Sequence, residues 1–251
     1  MSTINPTGKE IISVSGDFCG KPLTLEVNRV GFRTTASVMV RYGDTVVLGT
    51  SMVGGRPAYA MDYFPLSVDY EEKMYAAGKI SGSRFIKREG RPSDEAILIG
   101  RLIDRPIRPL FPKGYRQEVQ VVASVLSMDP SFRPDMIGMI AASAALSLTG
   151  APFDGPVAGL RVGRVDGEFK AFLSPEEREA SDLDLVVAGI ENGVMMVEAG
   201  AEEVSEDVVV DAIAWAAEQY QVAIKLQKEL VEKVGVAALE YELVLPNEYI
   251  Q

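Results

Sequence analysis

Nine basic side chains stand between positions 84 and 116: Arg84, Lys87, Arg88, Arg91, Arg101, Arg105, Arg108, Lys113 and Arg116. Only Glu89, Asp94, Glu95 and Asp104 oppose them, so the window carries +5 within a chain whose net charge is −11. Guanidinium groups pair bidentately with phosphate oxygens, so such a window in an acidic body can attract a polyanion to one face and repel it from the others. Gly90 and Pro92 tighten the backbone just ahead of Ser93-Asp94-Glu95, a helix start. A helix start offers free backbone amides and the positive end of the dipole to an anion. Arg88 and Arg91 flank that point, and Phe85 adds an aromatic face on which an unpaired base can stack. The chemistry this favours is contact with single-stranded RNA through Phe85, Lys87, Arg88 and Arg91. Arg101 and Arg105 are four apart on one helix face, with Arg108 beyond them. They either extend the RNA contact or tie the helix down through ion pairs to Asp104, Asp62 or Asp69.

Other chemistries are excluded by what the chain lacks. It has no histidine, which removes imidazole bases and imidazole metal ligands. Its lone cysteine, Cys19, excludes an intramolecular disulfide, a cysteine zinc site and a paired-cysteine redox centre. Gly16 and Gly20-Lys21 come nearest to a phosphate-binding P-loop, but the spacing is short and Pro22 follows the lysine. The acidic run Glu176, Glu177 and Glu179 after Pro175 reads as a solvated helix start.

These residues must be held by a frame. The chain has 251 residues, 47% of them hydrophobic and 24% charged, which suits a globular domain with a large core. Strands are expected at Leu23–Val27, Ala36–Val40, Thr45–Thr50 and Phe64–Val68, with Tyr42-Gly43-Asp44 turning a hairpin. Glu71 to Arg84 reads as a loop. A helix capped at Ser93 carries the apolar stripe Leu98, Ile99, Leu102 and Ile103, and Pro106 and Pro109 are expected to end it. There follow a strand at Val119–Leu126, a helix over Pro134–Leu148 and strands at Val157–Val165, Leu183–Val187 and Val194–Val197. Ser205 opens a long helical stretch to about Val234, and Leu239–Leu245 looks extended. Strands and helices do not alternate regularly, so the pattern predicts an α+β domain with mixed β-sheets packed by helices. No apolar run is long enough for a membrane helix and the first ten residues lack a signal core, so a soluble, cytoplasmic protein is expected.

The segment Arg88-Glu89-Gly90-Arg91-Pro92-Ser93, with Arg101-Leu102-Ile103-Asp104-Arg105-Pro106-Ile107-Arg108-Pro109-Leu110-Phe111-Pro112 after it, closely resembles bacterial polynucleotide phosphorylases. Tyr42–Val47, Phe64–Glu71, Ser124–Ser127 and Met196–Glu198 with Glu203–Glu206 extend the likeness over about Lys9 to Gly235. Ile86 departs from the family, which has a second aromatic there. The resemblance implies an RNase PH-like fold over residues 1–236, with residues 237–251 leading toward a helical linker. It implies a homotrimeric enzyme that shortens RNA from its 3′ end with inorganic phosphate, releasing nucleoside diphosphates, and that uses Mg²⁺. No DNA or membrane partner is expected.

Only the first of the family's two RNase PH-like domains is matched, and it is expected to steer RNA while the second does the chemistry. The stretch that would cradle phosphate, Met128-Asp129-Pro130-Ser131-Phe132-Arg133-Pro134, has two prolines without N–H donors, a bulky Phe and a repelling Asp. Where the active domain has two Asp and a Lys, this chain has Arg178, Asp184 and Val186, too few oxygen ligands for Mg²⁺. Asp182 and Asp184 are therefore expected to be structural. Three rival readings share parts of the pattern: a stand-alone non-catalytic scaffold subunit of an exosome-like ring, a small-molecule phosphotransferase, and a purely structural oligomerisation domain.

Overall fold

Gly43, at a left-handed φ of 57°, turns the chain back on itself so that Tyr42 faces Thr45 and a hairpin zips up behind them. That hairpin is β3 (Ala36–Tyr42) and β4 (Thr45–Val53). In this computed structural model, which describes residues 8–55, 61–80 and 90–245, it is the centre of a six-stranded sheet. Two strands on one side, β1 (Ile12–Phe18) and β2 (Lys21–Val27), continue the antiparallel meander. On the other side β4 pairs antiparallel with β6 (Val119–Ser127), which pairs in parallel with β5 (Leu66–Glu72) at the edge.

The connection from β5 to β6 carries α1 (Asp94–Ile107), a crossover of the kind that a parallel pair requires. Ala96, Ile99, Leu102, Ile103 and Ile107 are its buried stripe, and it packs on β5, where Gly100 lets the helix approach the Val68 carbonyl. The second sheet runs β10 (Gly193–Ala201), β9 (Leu183–Ile190), β7 (Ala158–Val165) and β8 (Glu168–Ala171), antiparallel throughout.

Between the sheets lies α2 (Asp135–Ser147), whose residues from Asp135 to Leu146 are all buried. It touches β3, β4 and β6 on one side and β7 on the other. Its Ala-rich sequence lets backbones approach closely. A Cβ built on Gly49 of β4 would lie 2.1 Å from the Ala141 carbonyl oxygen, so only glycine fits there. The short α3 (Pro175–Ala180) has a reciprocal capping box between Ser174 and Glu177, as an acidic solvated helix start should.

Several expectations need correction. Strands β1 and β8 are additional to those read from the sequence. Pro106 does not stop α1: it sits inside the helix, buried, and Arg108–Leu110 follow as a 3₁₀ turn. Proline's fixed φ is helical, and near a C-terminus it costs one hydrogen bond, which the buried stripe offsets. The long C-terminal stretch is two helices, α4 (Glu206–Gln219) and α5 (Gln221–Val234), joined at buried Tyr220, whose hydroxyl fills the space beside Gly189. Glu71 and Glu72 belong to β5, and a 3₁₀ turn occupies Met74–Ala77. Residues 236–245 form a strap with one β-bridge, Tyr115 to Leu243, and with hydrogen bonds from Leu239 and Val244 to the Gly150 and Gly114 carbonyls. No helix among the described residues is long and apolar enough to cross a membrane.

Candidate nucleic-acid interface

The N-terminus of α1 is built as the sequence predicts. Ser93 is extended, and its Oγ accepts the Ala96 amide at 3.1 Å, while Asp94 and Glu95 occupy the first turn. Just ahead of it Arg91 is exposed. Gly90, Arg91 and Ser93 form one side of an open cleft of about 500 Å³, and Glu71 and Glu72 at the end of β5 form the other. The Glu72 carboxyl is pushed above the usual carboxylate range. Burial is the main cause, Glu95 and Asp135 add to it, and the Tyr70 hydroxyl and Arg133 oppose it. Phe85, Lys87 and Arg88 lie outside the described residues.

The three helix arginines separate into different roles. Arg101 is exposed on the same face as Leu98, which is 63% exposed. Arg105 is also on the surface and donates from Nη1 to Glu198 on β10 at 3.0 Å, an ion pair open to water on both sides. Arg108 is tied into the fold. Its Nη2 and Nε donate to the two Asp104 oxygens at 2.8 and 3.0 Å, and its Nη1 and Nη2 donate to the Phe64 and Leu66 carbonyls at 3.1 Å each. Its guanidinium also lies over the Phe64 ring. Neither Asp62 nor Asp69 is the partner considered from sequence: Asp62 gives only its backbone carbonyl, to Arg116. The structure thus leaves Arg91, Arg101 and Arg105 on the surface and sets Arg108 apart as a structural brace between α1 and the start of β5.

The stretch that corresponds to a phosphate cradle is closed on itself. Asp129 accepts from the Ser131 amide at 2.9 Å and hydroxyl at 2.6 Å, which holds its carboxyl below the usual range, with Lys21 helping. Phe132 is buried beneath Lys21, whose ammonium sits 4.9 Å from the ring centroid. Farther on, Asp182 pairs with Arg164 at 3.0 Å and Asp184 with Arg161 at 2.6 Å. Each carboxylate is already neutralised by an arginine, a donor set that does not fit Mg²⁺. Among the described residues no three carboxylates or thiols gather as a metal centre.

One charged residue escaped the sequence reading. In sequence Asp135 is only the second residue of the helix expected over Pro134–Leu148. In the fold it is almost completely buried against Arg161, and only the apolar character of the whole helix around it could have signalled that.

Residues 20–152 match the model of the 3′ exoribonuclease family, domain 1, and residues 155–219 match domain 2 of the same family. The boundary falls between the two sheets. Polyribonucleotide nucleotidyltransferase of Heliobacterium modesticaldum is 52% identical over 229 residues, covering 91% of this chain and 32% of the relative. The Geobacillus kaustophilus protein of the same name is 47% identical over 243 residues, covering 97% of this chain and 33% of the relative. The chain thus spans about a third of the length of these curated relatives. Among solved structures, rice Rrp46 superposes with a TM-score of 0.60 at 14% identity, covering 92% of this chain and 95% of that one, a likeness of fold.

Proposed function

The chain belongs to the RNase PH-like 3′ exoribonuclease family, and from that premise we propose that it is the RNA-steering N-terminal part of a phosphate-dependent 3′→5′ exoribonuclease. The full reaction transfers the terminal nucleotide of RNA to inorganic phosphate, releasing a nucleoside diphosphate, and it runs in both directions. In this reading a second RNase PH-like domain beyond this chain carries the chemistry and the Mg²⁺, three subunits assemble around the RNA, and the enzyme works in the cytoplasm.

The observation that carries the reading is the exposed basic face of α1. Arg91 stands at a capped helix start beside an open cleft, and Arg101 and Arg105 continue along the same helix. Phe85, Lys87 and Arg88 are proposed to complete the contact. Arg108 is left out of it, because four of its N–H groups already serve the fold. An aromatic face with several cations suits a single strand of any sequence: stacking and phosphate pairing do not read base identity.

Two measurements test this. Incubation of the chain with oligo(A), phosphate and Mg²⁺ is expected to release no ADP, and clear release would overturn the non-catalytic assignment. Binding of fluorescent oligo(A) is expected to weaken with salt at a log–log slope of about −2, for about three neutralised phosphates. Lys87→Ala with Arg88→Ala should flatten that slope and weaken binding to all sequences alike, whereas unchanged binding would remove these residues from the interface.

A further inference from the structure

Beside α1, at the start of α2, lies a second group of charges with a different character. Asp135 opens α2 and is 1% exposed. Its Oδ2 accepts from Nε and Nη2 of Arg161 at 3.1 and 2.9 Å, and its Oδ1 accepts from the Met136 amide at 2.8 Å. The third nitrogen of Arg161 donates to Asp184. Arg133 and Arg178 border the same place, around a residual cavity of about 10 Å³. The Arg178 Nε is sealed from solvent and has no hydrogen-bond partner among the described residues. Arg133 reaches outward to Glu95 at 3.2 Å.

The guanidinium groups of Arg161 and Arg178 and the start of a helix therefore border one enclosed point. Such a gathering of positive charge away from water is costly without an anion among the groups. The buried anion is the Asp135 carboxylate, while Asp184, on the exposed side, takes the third nitrogen of Arg161. The contacts it makes, a forked guanidinium and a helix amide, are those by which a free oxyanion is bound. We infer that Asp135 is a tethered substitute for a free oxyanion: it occupies from within a site built for one, and so keeps inorganic phosphate out of this domain. The remaining cavity has room for about one water molecule, too little for a tetrahedral ion beside the carboxylate. Removing the side chain vacates the space and leaves Arg161, Arg178 and the α2 amide facing it. Inorganic phosphate then becomes a ligand. This inference does not depend on the RNA-steering reading, since it concerns other residues and a free ion.

The test is thermal unfolding of the whole chain, followed by Trp215 fluorescence, in inorganic phosphate and in sodium chloride of equal ionic strength. Asp135→Gly removes both charge and volume, while Asp135→Asn removes charge and keeps the volume. Phosphate is expected to raise the Tm of Asp135→Gly by about 5 °C over chloride. The wild type and Asp135→Asn should respond to the two salts alike, and Arg178→Met added to Asp135→Gly should cancel most of the gain. If Asp135→Gly is unfolded in chloride, recovery of the folded signal on adding phosphate is the same positive result, and Asp135→Ala is run beside it. Failure of phosphate to rescue or stabilise either Gly or Ala variant overturns the inference. So does equal stabilisation of Asp135→Asn, which would mean screening of Arg161, or of the wild type, which would mean that the site is already open.

Discussion

Arg101 lies on α1 and Arg108 seven residues later in the turn that follows it, and their surroundings assign them opposite work. Arg108 spends its donors on Asp104 and on two carbonyls that mark the entrance to β5, whereas Arg101 is out in solvent. Arg108→Met is expected to destabilise the chain by about 1–3 kcal/mol in urea unfolding, because two carbonyls and a carboxylate lose their charged partner, while leaving oligo(A) affinity unchanged. Arg101→Ala should do the reverse, weakening RNA binding several-fold with stability held within about 0.5 kcal/mol. A fall in RNA affinity for the Arg108 variant at unchanged stability would contradict this division. Glu72 makes a prediction about pH. Its carboxyl is held above its unfolded range, chiefly by burial and by Glu95. A raised acid binds protons more tightly when folded, so its ionisation disfavours the fold as pH rises past the unfolded range of about 4.3. Glu72→Gln is therefore expected to stabilise the chain at pH 7 by under about 1 kcal/mol, with the gain vanishing near pH 4. A gain that persists at pH 4 would assign it to packing instead.

Among the elements, those whose cause is local were the ones legible in advance. The hairpin at Gly43 follows from a glycine that can take left-handed φ, and the start of α1 follows from Ser93 and its acidic first turn. Elements decided by distant packing were not. In β1, Ile12, Val14 and Phe18 alternate with Ser13, Ser15 and Asp17, but Gly16 interrupts the apolar face, and pairing with β2 and packing under α5 settle the strand. Pro106 looks like a stop when read alone and becomes tolerable only with Ile103 and Ile107 buried around it. The same limit applies to the site: residue type points to a basic face, but only the fold decides that Arg108 is spoken for and that Asp135 is inside. Helix α2 offers the sharpest element-level test. Gly49→Ala would drive a methyl into the Ala141 carbonyl, backbone against backbone, and should cost about 3 kcal/mol or more, or prevent folding. A substitution cost below about 1 kcal/mol would mean that strand and helix can slide apart.

At the scale of the molecule, the family's two model segments correspond to two sheets, and neither sheet has a core of its own. Residues Met136, Met139 and Ile140 of α2 lie in the same buried cluster as Val38 and Val47 from one sheet and Val162 and Leu185 from the other. A helix enclosed on every side cannot remain ordered when either neighbour leaves. The two segments are therefore expected to melt as one cooperative unit: calorimetric and van't Hoff enthalpies should coincide, and a lesion in either sheet should lower the single midpoint rather than split it.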